Sequence, residues 1–274
     1  MIGGIGSAPV SFGVYGHDEH LGVSPSSLLA AAAEAGYAGM ELGPPGFFGT
    51  PAEAQQSFHA CGLTIVGAYV PIHLSAAPDA VEAEMASMQR TLDELSFGSA
   101  APGLAILADE GSPDLLRHPA RSRDDRDLAL DDEGWARLGD NLARALDLAA
   151  TAGVATTFHP HISTYVESPW EVERLLNMCD IGLTIDTGHF KLAGADPVES
   201  LRRWGDRVNH VHLKDVREQI LLRAKADERR DLDVWWADVS TALGDGDVDL
   251  VAFLERLLAM HYGGWLVVEQ DRAP

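Results

Sequence analysis

The feature that most constrains this chain is an alternation. Short β-branched or apolar runs are separated by longer stretches of helical pattern from one end to the other. Eight runs read as strands: "PVSFGV" (9–14), "GMELG" (39–43), "TIVGAYV" (64–70), "GLAILA" (103–108), "VATTFH" (154–159), "IGLTID" (181–186), "VNHVHLK" (208–214) and "WLVVE" (265–269). The helices between them signal their starts. "SPSSLLAAAAEAG" puts Ser24 at an N-cap, Pro25 at the first helical position and Gly36 just past the end. Ser168, Pro169 and Glu171 form a capping-box pattern, and Asp196, Pro197 and Glu199 repeat it. Trp135, Leu138, Leu142, Leu146 and Ala149 recur at the helical period. An α/β fold, the (β/α)8 TIM barrel, matches this pattern as a single domain over residues 1–274. A doubly wound sheet is the competitor, and the lack of a GxGxxG after the first strand weighs against it.

Two connections are long: 109–133, rich in charge, and 215–248, which runs into "GDGDVDL". Long βα connections in a barrel tend to be lids or site walls. The chain ends at Pro274, five residues after the last strand run, so the eighth helix is expected to be missing. Either another subunit covers that face or the sequence is a truncated form.

Composition narrows the partners. The formal net charge is −22, from 42 acidic and 20 basic residues, which argues against nucleic acid or an anionic membrane surface. An acidic surface also attracts cations. Cys61 and Cys179 form no CxxC and no disulfide framework, so a reducing compartment fits. The start has no basic region followed by an apolar one, and no apolar run approaches the ~18–20 residues needed to span a bilayer. The expectation is a cytoplasmic protein.

In a parallel barrel all C-terminal strand ends open on one face. In the second half of the chain those ends carry His159 with His161, then Asp186, His212 and Glu269. Alternation supports a shared face: His210, His212 and Lys214 lie together, as do Trp265, Val267 and Glu269, and Gly182, Thr184 and Asp186. Any one of these residues is commonly structural, since a lone histidine is usually hydrogen-bonded and an Asp before Thr-Gly often forms a turn. Four at successive strand mouths point to a metal. Two imidazoles with two carboxylates suit Mn²⁺, Co²⁺ or Zn²⁺ better than an all-oxygen Ca²⁺ cage. "GDGDVDL" has the look of a calcium loop but lacks its spacing and its final glutamate. "LLAAAAEA" and the pair Trp235-Trp236 read as interface surface or as core and loop anchors.

"GYAGMELG", "TIDTGH", "HVHLKD", "GDGDVDL" and "VVEQD" together resemble the xylose-isomerase-like barrels, the sugar phosphate isomerase and epimerase superfamily. The resemblance covers nearly the whole chain. It implies a metal held by Asp186, His212 and Glu269, with a glutamate as the usual first ligand. Here His159, in "FHPH", takes that place. This departure resembles the inosose dehydratase branch, where a His-x-His follows the fifth strand, and "APVSFGV" and "VVEQD" suit that branch as well.

The family's isomerases move a proton between two glutamates. Losing one leaves Glu269 as the obvious base. A dehydratase needs an acid instead, which histidine can supply near neutral pH. The resemblance thus implies a metal-dependent carbon–oxygen lyase that dehydrates a keto-inositol such as 2-keto-myo-inositol in inositol breakdown. A sugar or keto-inositol isomerase or epimerase is the alternative. The metal, Mn²⁺ or Co²⁺ first with Zn²⁺ or Mg²⁺ as alternatives, would be held by His159, Asp186, His212 and Glu269. His161 is a proton donor or an orienting residue, and Lys214 an enolate stabiliser or a salt bridge. His189 is a substrate contact, while Glu41 and His73 are substrate contacts or structural. A related endonuclease would need a basic surface, and a non-catalytic binding barrel would not need the metal-capable set. The partner is a small polyol ketone or sugar, and a homo-oligomer is compatible with the exposed outer face.

Overall fold

The computed structural model describes residues 2–15, 22–121, 126–227, 236 and 238–271. Eight parallel strands close on themselves: β1 (Gly4–Ser7), β2 (Gly39–Leu42), β3 (Thr64–Ile72), β4 (Leu104–Asp109), β5 (Thr156–Phe158), β6 (Gly182–Asp186), β7 (Val208–Leu213) and β10 (Trp265–Val268). Between the last two, β8 (Asp215–Val216) and β9 (Ser240–Thr241) make a small antiparallel pair. β1 pairs with β2 on one side and with β10 on the other, so the first strand seals the barrel.

Helices return the chain on the outside. They are α1 (Pro25–Glu34), α2 (Pro51–Ala60), α3 (Glu82–Ser96), α4 (Pro113–Leu116), α5 (Asp132–Ala152), α6 (Pro169–Met178), α7 (Thr187–Leu192), α8 (Pro197–Trp204), α9 (Glu218–Ala226) and α10 (Leu250–Ala259). The caps follow the sequence. Ser24 accepts from Ser27 N at 3.2 Å, and Ser168 with Glu171 forms the expected box. Asp196 caps α8, accepting from Val198 N at 2.7 Å. On α5 the apolar period is a packing face, with Trp135, Leu138, Leu142 and Ala149 buried against the barrel and Leu146 partly so. Each such leucine contributes on the order of 1.5–3 kcal/mol.

The first strand departs from expectation. The run at 9–14 is not a strand: Pro9–Phe12 is a 3-10 helix, ended by Gly13 at φ 83°. Pro9 has no N–H to give to a ladder. The strand instead comes earlier, as the glycine-rich "GIGS", whose low β propensity hides it. Gly4 is needed because the Trp265 ring lies against it, where a Cβ would collide, while Gly6 packs closely against the backbone of Gly39.

The described residues end at Asp271, three residues after β10, and Ile5 on the outer side of β1 is 52% exposed. No helix of the described residues is long and apolar enough to cross a membrane. Trp235, and parts of both long connections, lie outside the described residues. Inside the barrel, Thr157 and Thr184 share a hydrogen bond of 2.8 Å on β5 and β6, with buried His210 and Val267 on β7 and β10. One alternation further along each strand comes the site.

Candidate active site at the barrel mouth

Each strand end delivers its side chain by a local device. His159 continues β5 by one residue, its N–H donating to Leu107 O at 2.7 Å. Asp186 closes β6 and caps α7: Oδ1 accepts from Gly188 N and His189 N, both at 2.9 Å. One carboxylate oxygen is thereby fixed by the helix, and the other faces His159, His212 and Lys214. Glu269 N donates to Leu213 O, which carries β10 past its last strand residue. Thr187 Oγ1 donates to Lys214 O at 2.6 Å and ties α7 to the end of β7.

These devices bring the four expected ligands together. His159 Nε2 is 3.5 Å and His212 Nδ1 3.7 Å from Asp186 Oδ2, and His212 Nδ1 is 3.0 Å from Glu269 Oε2. Asp186 Oδ2 and His212 Nδ1 are buried and make no hydrogen bond in the structure. Buried polar atoms are otherwise almost always paired. Imidazole and carboxylate atoms crowd here in close charge contact, with the Lys214 ammonium beside them, and such a donor set can also hold a cation. The donors of Asp186, His212 and Glu269 lie within 4.8 Å of one another, as do those of His159, Asp186 and His189. The residues present therefore fit a divalent metal in both spacing and chemistry.

Lys214 stands among them. Its Nζ donates to Asp271 Oδ1 at 2.6 Å and to His189 Nε2 at 3.0 Å, and lies 3.0 Å from Glu269 Oε2 and 3.2 Å from Asp186 Oδ2. Sequence reasoning gives Asp271 no role and reads Trp236 only as interface surface or a core or loop anchor. Asp271 lies two residues beyond Glu269 in "VVEQD", a spacing that signals a shared side. The Trp236 ring stacks on His189 at 5.7 Å and 15°. His161 is 3.8 Å from His189 between ring centres, with Nδ1 2.7 Å from Ile162 O.

Glu41 is buried on the far side of His212, with Oε1 2.8 Å from His210 Nε2 and 2.9 Å from His212 Nε2. His73 sits across the mouth, paired at 2.6 Å with Glu84 of α3. A cavity of about 580 Å³ joins these residues, lined by Glu41, Tyr69, His73, His159, His161, His212, Lys214, Glu269 and Asp271 among others. The "GDGDVDL" loop does not line it; its amides bind the Asp215 carboxylate behind Lys214.

Burial and charge set the protonation states. Burial raises Asp186, but Lys214 and the surrounding histidines hold it well below the usual carboxylate value. Glu269 is likewise held low against burial by His212 and Lys214. Burial lowers His212, yet Glu269 and Glu41 raise it well above the ordinary imidazole value. Lys214 is raised against burial by Asp186, Asp271 and Glu269, so it is an ammonium. With three carboxylates around one ammonium, burial and the repulsion of Glu269 and Asp186 push Asp271 up to about 6 despite Lys214. Burial pushes His161 down to about 3 and keeps His159 and His189 neutral as well.

The pattern that defines the xylose isomerase-like TIM barrel matches residues 29–274. The chain is 29% identical over 277 residues to an inosose dehydratase of Geobacillus kaustophilus, covering 98% of this chain and 88% of that one. It is 32% identical over 248 residues to the rhizopine catabolism protein MocC of Rhizobium meliloti, covering 90% and 74%. Among solved structures, the IOLI protein with a bound zinc atom superimposes with a TM-score of 0.70 at 14% identity, covering 98% and 89%. With a closed eight-stranded barrel and a family match over most of its length, the chain belongs to the xylose isomerase-like TIM barrel family.

Proposed function

We propose that this chain is a metal-dependent carbon–oxygen lyase that dehydrates a keto-inositol such as 2-keto-myo-inositol. The observation that carries the reading is its likeness, along 98% of its length, to a protein named inosose dehydratase. His159, where the family usually has a glutamate, agrees with that reading. His159, Asp186, His212 and Glu269 would hold the metal, and manganese or cobalt suits this mixed set, with zinc and magnesium next. Bound there, a divalent ion supplies Lewis acidity toward the ketone and the neighbouring hydroxyl oxygen. His212 would offer its Nδ1 lone pair to the ion, so metal affinity would fall at low pH. Two free cysteines fit a reducing compartment such as the cytoplasm.

Dehydration takes a proton from the carbon beside the ketone and breaks the C–O bond one carbon further on. The hydroxyl leaves as water, and the resulting enol tautomerises to a dione. Glu269, held ionised, is the base. Lys214, held as an ammonium, stabilises negative charge on the enolate oxygen. His161 has its Nδ1–H on a carbonyl, so its resting Nε2 carries a lone pair. The proton that Glu269 takes from carbon is the one that leaves with the hydroxyl as water, and His161 either relays it by accepting it at Nε2 and passing it on or orients that hydroxyl. His189 accepts from Lys214 and lines up the ammonium, while His73 faces the distal hydroxyls of the ring.

The test is an NMR time course with 2-keto-myo-inositol in D₂O, with Zn²⁺ or Mg²⁺ in the tube and quenched Mn²⁺ and Co²⁺ samples alongside. Loss of a hydroxyl to give the dione, abolished in Glu269→Gln, is expected. Deuterium exchange or a rearranged ketone without water loss would make the protein an isomerase instead.

A further inference from the structure

The side of His212 that faces away from Asp186 and Glu269 is as well defined as the side that faces them. Glu41 Oε1 lies 2.8 Å from His210 Nε2 and 2.9 Å from His212 Nε2, and Glu41, His210 and His212 are all at most 1% exposed. The single oxygen Oε1 meets both ring nitrogens, the geometry of a carboxylate oxygen accepting from two N–H groups. Each ring must therefore carry a proton on Nε2. For His212 in its neutral form this fixes the tautomer: Nδ1 is the lone-pair nitrogen, and it faces Asp186 and Glu269.

We propose that Glu41 and His210 are positioning residues, a carboxylate bridge that locks His212 with Nε2 protonated and Nδ1 aimed into the site. The inference rests on the reading of His212 as a metal ligand. Their hydrogen bonds run to one another and to His212. Glu41 comes from β2 and His210 from β7, so the bridge crosses the barrel interior and fixes the ring in orientation as well as in tautomer. His210 fills the second acceptor site of Oε1 and holds the carboxylate in place when the ring of His212 changes charge. Partners of this kind typically contribute 10–100-fold to metal affinity. Donor atoms of Glu41, His210 and His212 also lie within 4.8 Å of one another, but the two N–H···O bonds occupy the atoms an ion would need there.

Titration of the apoprotein with Co²⁺, followed by its visible absorption, tests this without recourse to turnover. Glu41→Leu, close in volume but with no acceptor, is expected to weaken Co²⁺ binding about 10–100-fold and change the band shape. Glu41→Gln keeps an acceptor oxygen and should recover much of both. His210→Gln, able to donate to Glu41, should stay near wild type, whereas His210→Leu should move toward Glu41→Leu. If the Glu41 variants fail to fold, judged by circular dichroism, the two His210 variants carry the same comparison. Equal affinity and spectrum in the Leu and Gln variants would overturn the proposal and leave the trio as packing. Two bound ions in wild type, one of them lost in His210→Gln, would overturn it in favour of a second cation site. Unchanged Co²⁺ binding in His212→Ala would instead overturn the ligand reading on which the proposal stands.

Discussion

Three carboxylates, those of Asp186, Glu269 and Asp271, face one ammonium, that of Lys214, at 3.2, 3.0 and 2.6 Å. Removing the cation leaves the three acids to repel one another and, on the proposed role of Lys214, removes the charge that would stabilise the enolate oxygen. Lys214→Met should lower kcat for dehydration by about 10²–10⁴-fold, read under saturating Zn²⁺. A second buried acid makes a prediction about stability. Burial pushes Asp109 up to about 6, although its Oδ2 accepts from Gly111 N and Tyr165 N. A carboxyl whose folded value is raised favours the fold below pH ~4 and loses that contribution as pH rises through about 6. Asp109→Asn should therefore gain stability relative to wild type at pH 8, by on the order of 2–3 kcal/mol, with the gain gone near pH 3.5. Melting temperatures across that range would show it, and a constant difference would contradict it. Strand-end position in four runs, with alternation in three of them, was enough to foresee that His159, Asp186, His212 and Glu269 meet. It could not show that Glu41 reaches His210 and His212, or that Asp271 and Trp236 close around Lys214 and His189. Those contacts join distant segments, and no local period encodes them.

At the scale of elements, the turn 244–248 is built around the side chain that follows Lys214. Gly244 N and Gly246 N donate to Asp215 Oδ2 at 2.9 and 3.0 Å, and Val248 N to Oδ1 at 3.1 Å. A Cβ on Gly246 would run into the Asp215 carboxylate. Gly246→Ala should cost about 1–3 kcal/mol, measured by denaturant unfolding, and slow turnover by loosening the end of β7. The acidic, glycine-rich string reads equally as a cation loop because its function lies in its backbone N–H groups, which residue identity does not display. Helices were more legible: Ser24, Ser168 and Asp196 each stand at an N-cap because capping chemistry is local. β1 was not, because packing against Trp265 and the Gly39 backbone selects glycines that propensity assigns to turns.

At the scale of the molecule, the site draws on β2, β5, β6, β7 and the segment after β10, and these meet only when β1 has closed the ring. Metal binding is thus coupled to the folding of the whole barrel. A free concentration of Zn²⁺ 100 times its Kd should stabilise the fold by about 2.7 kcal/mol, and a chelator should return Tm to that of the apoprotein. The charge of −22 adds a dependence on medium: cation capture should slow as ionic strength screens the acidic surface. Closure also decides where anything fused to the chain will sit. β1 runs from the closed end toward the mouth, while β10 ends at the mouth and passes straight into Glu269 and Asp271. A polyhistidine purification handle at the N-terminus emerges at the opposite end of the barrel. The same handle at the C-terminus is tethered beside the entrance, where its imidazoles compete for the metal, so a preparation's metal content depends on which end carries the tag.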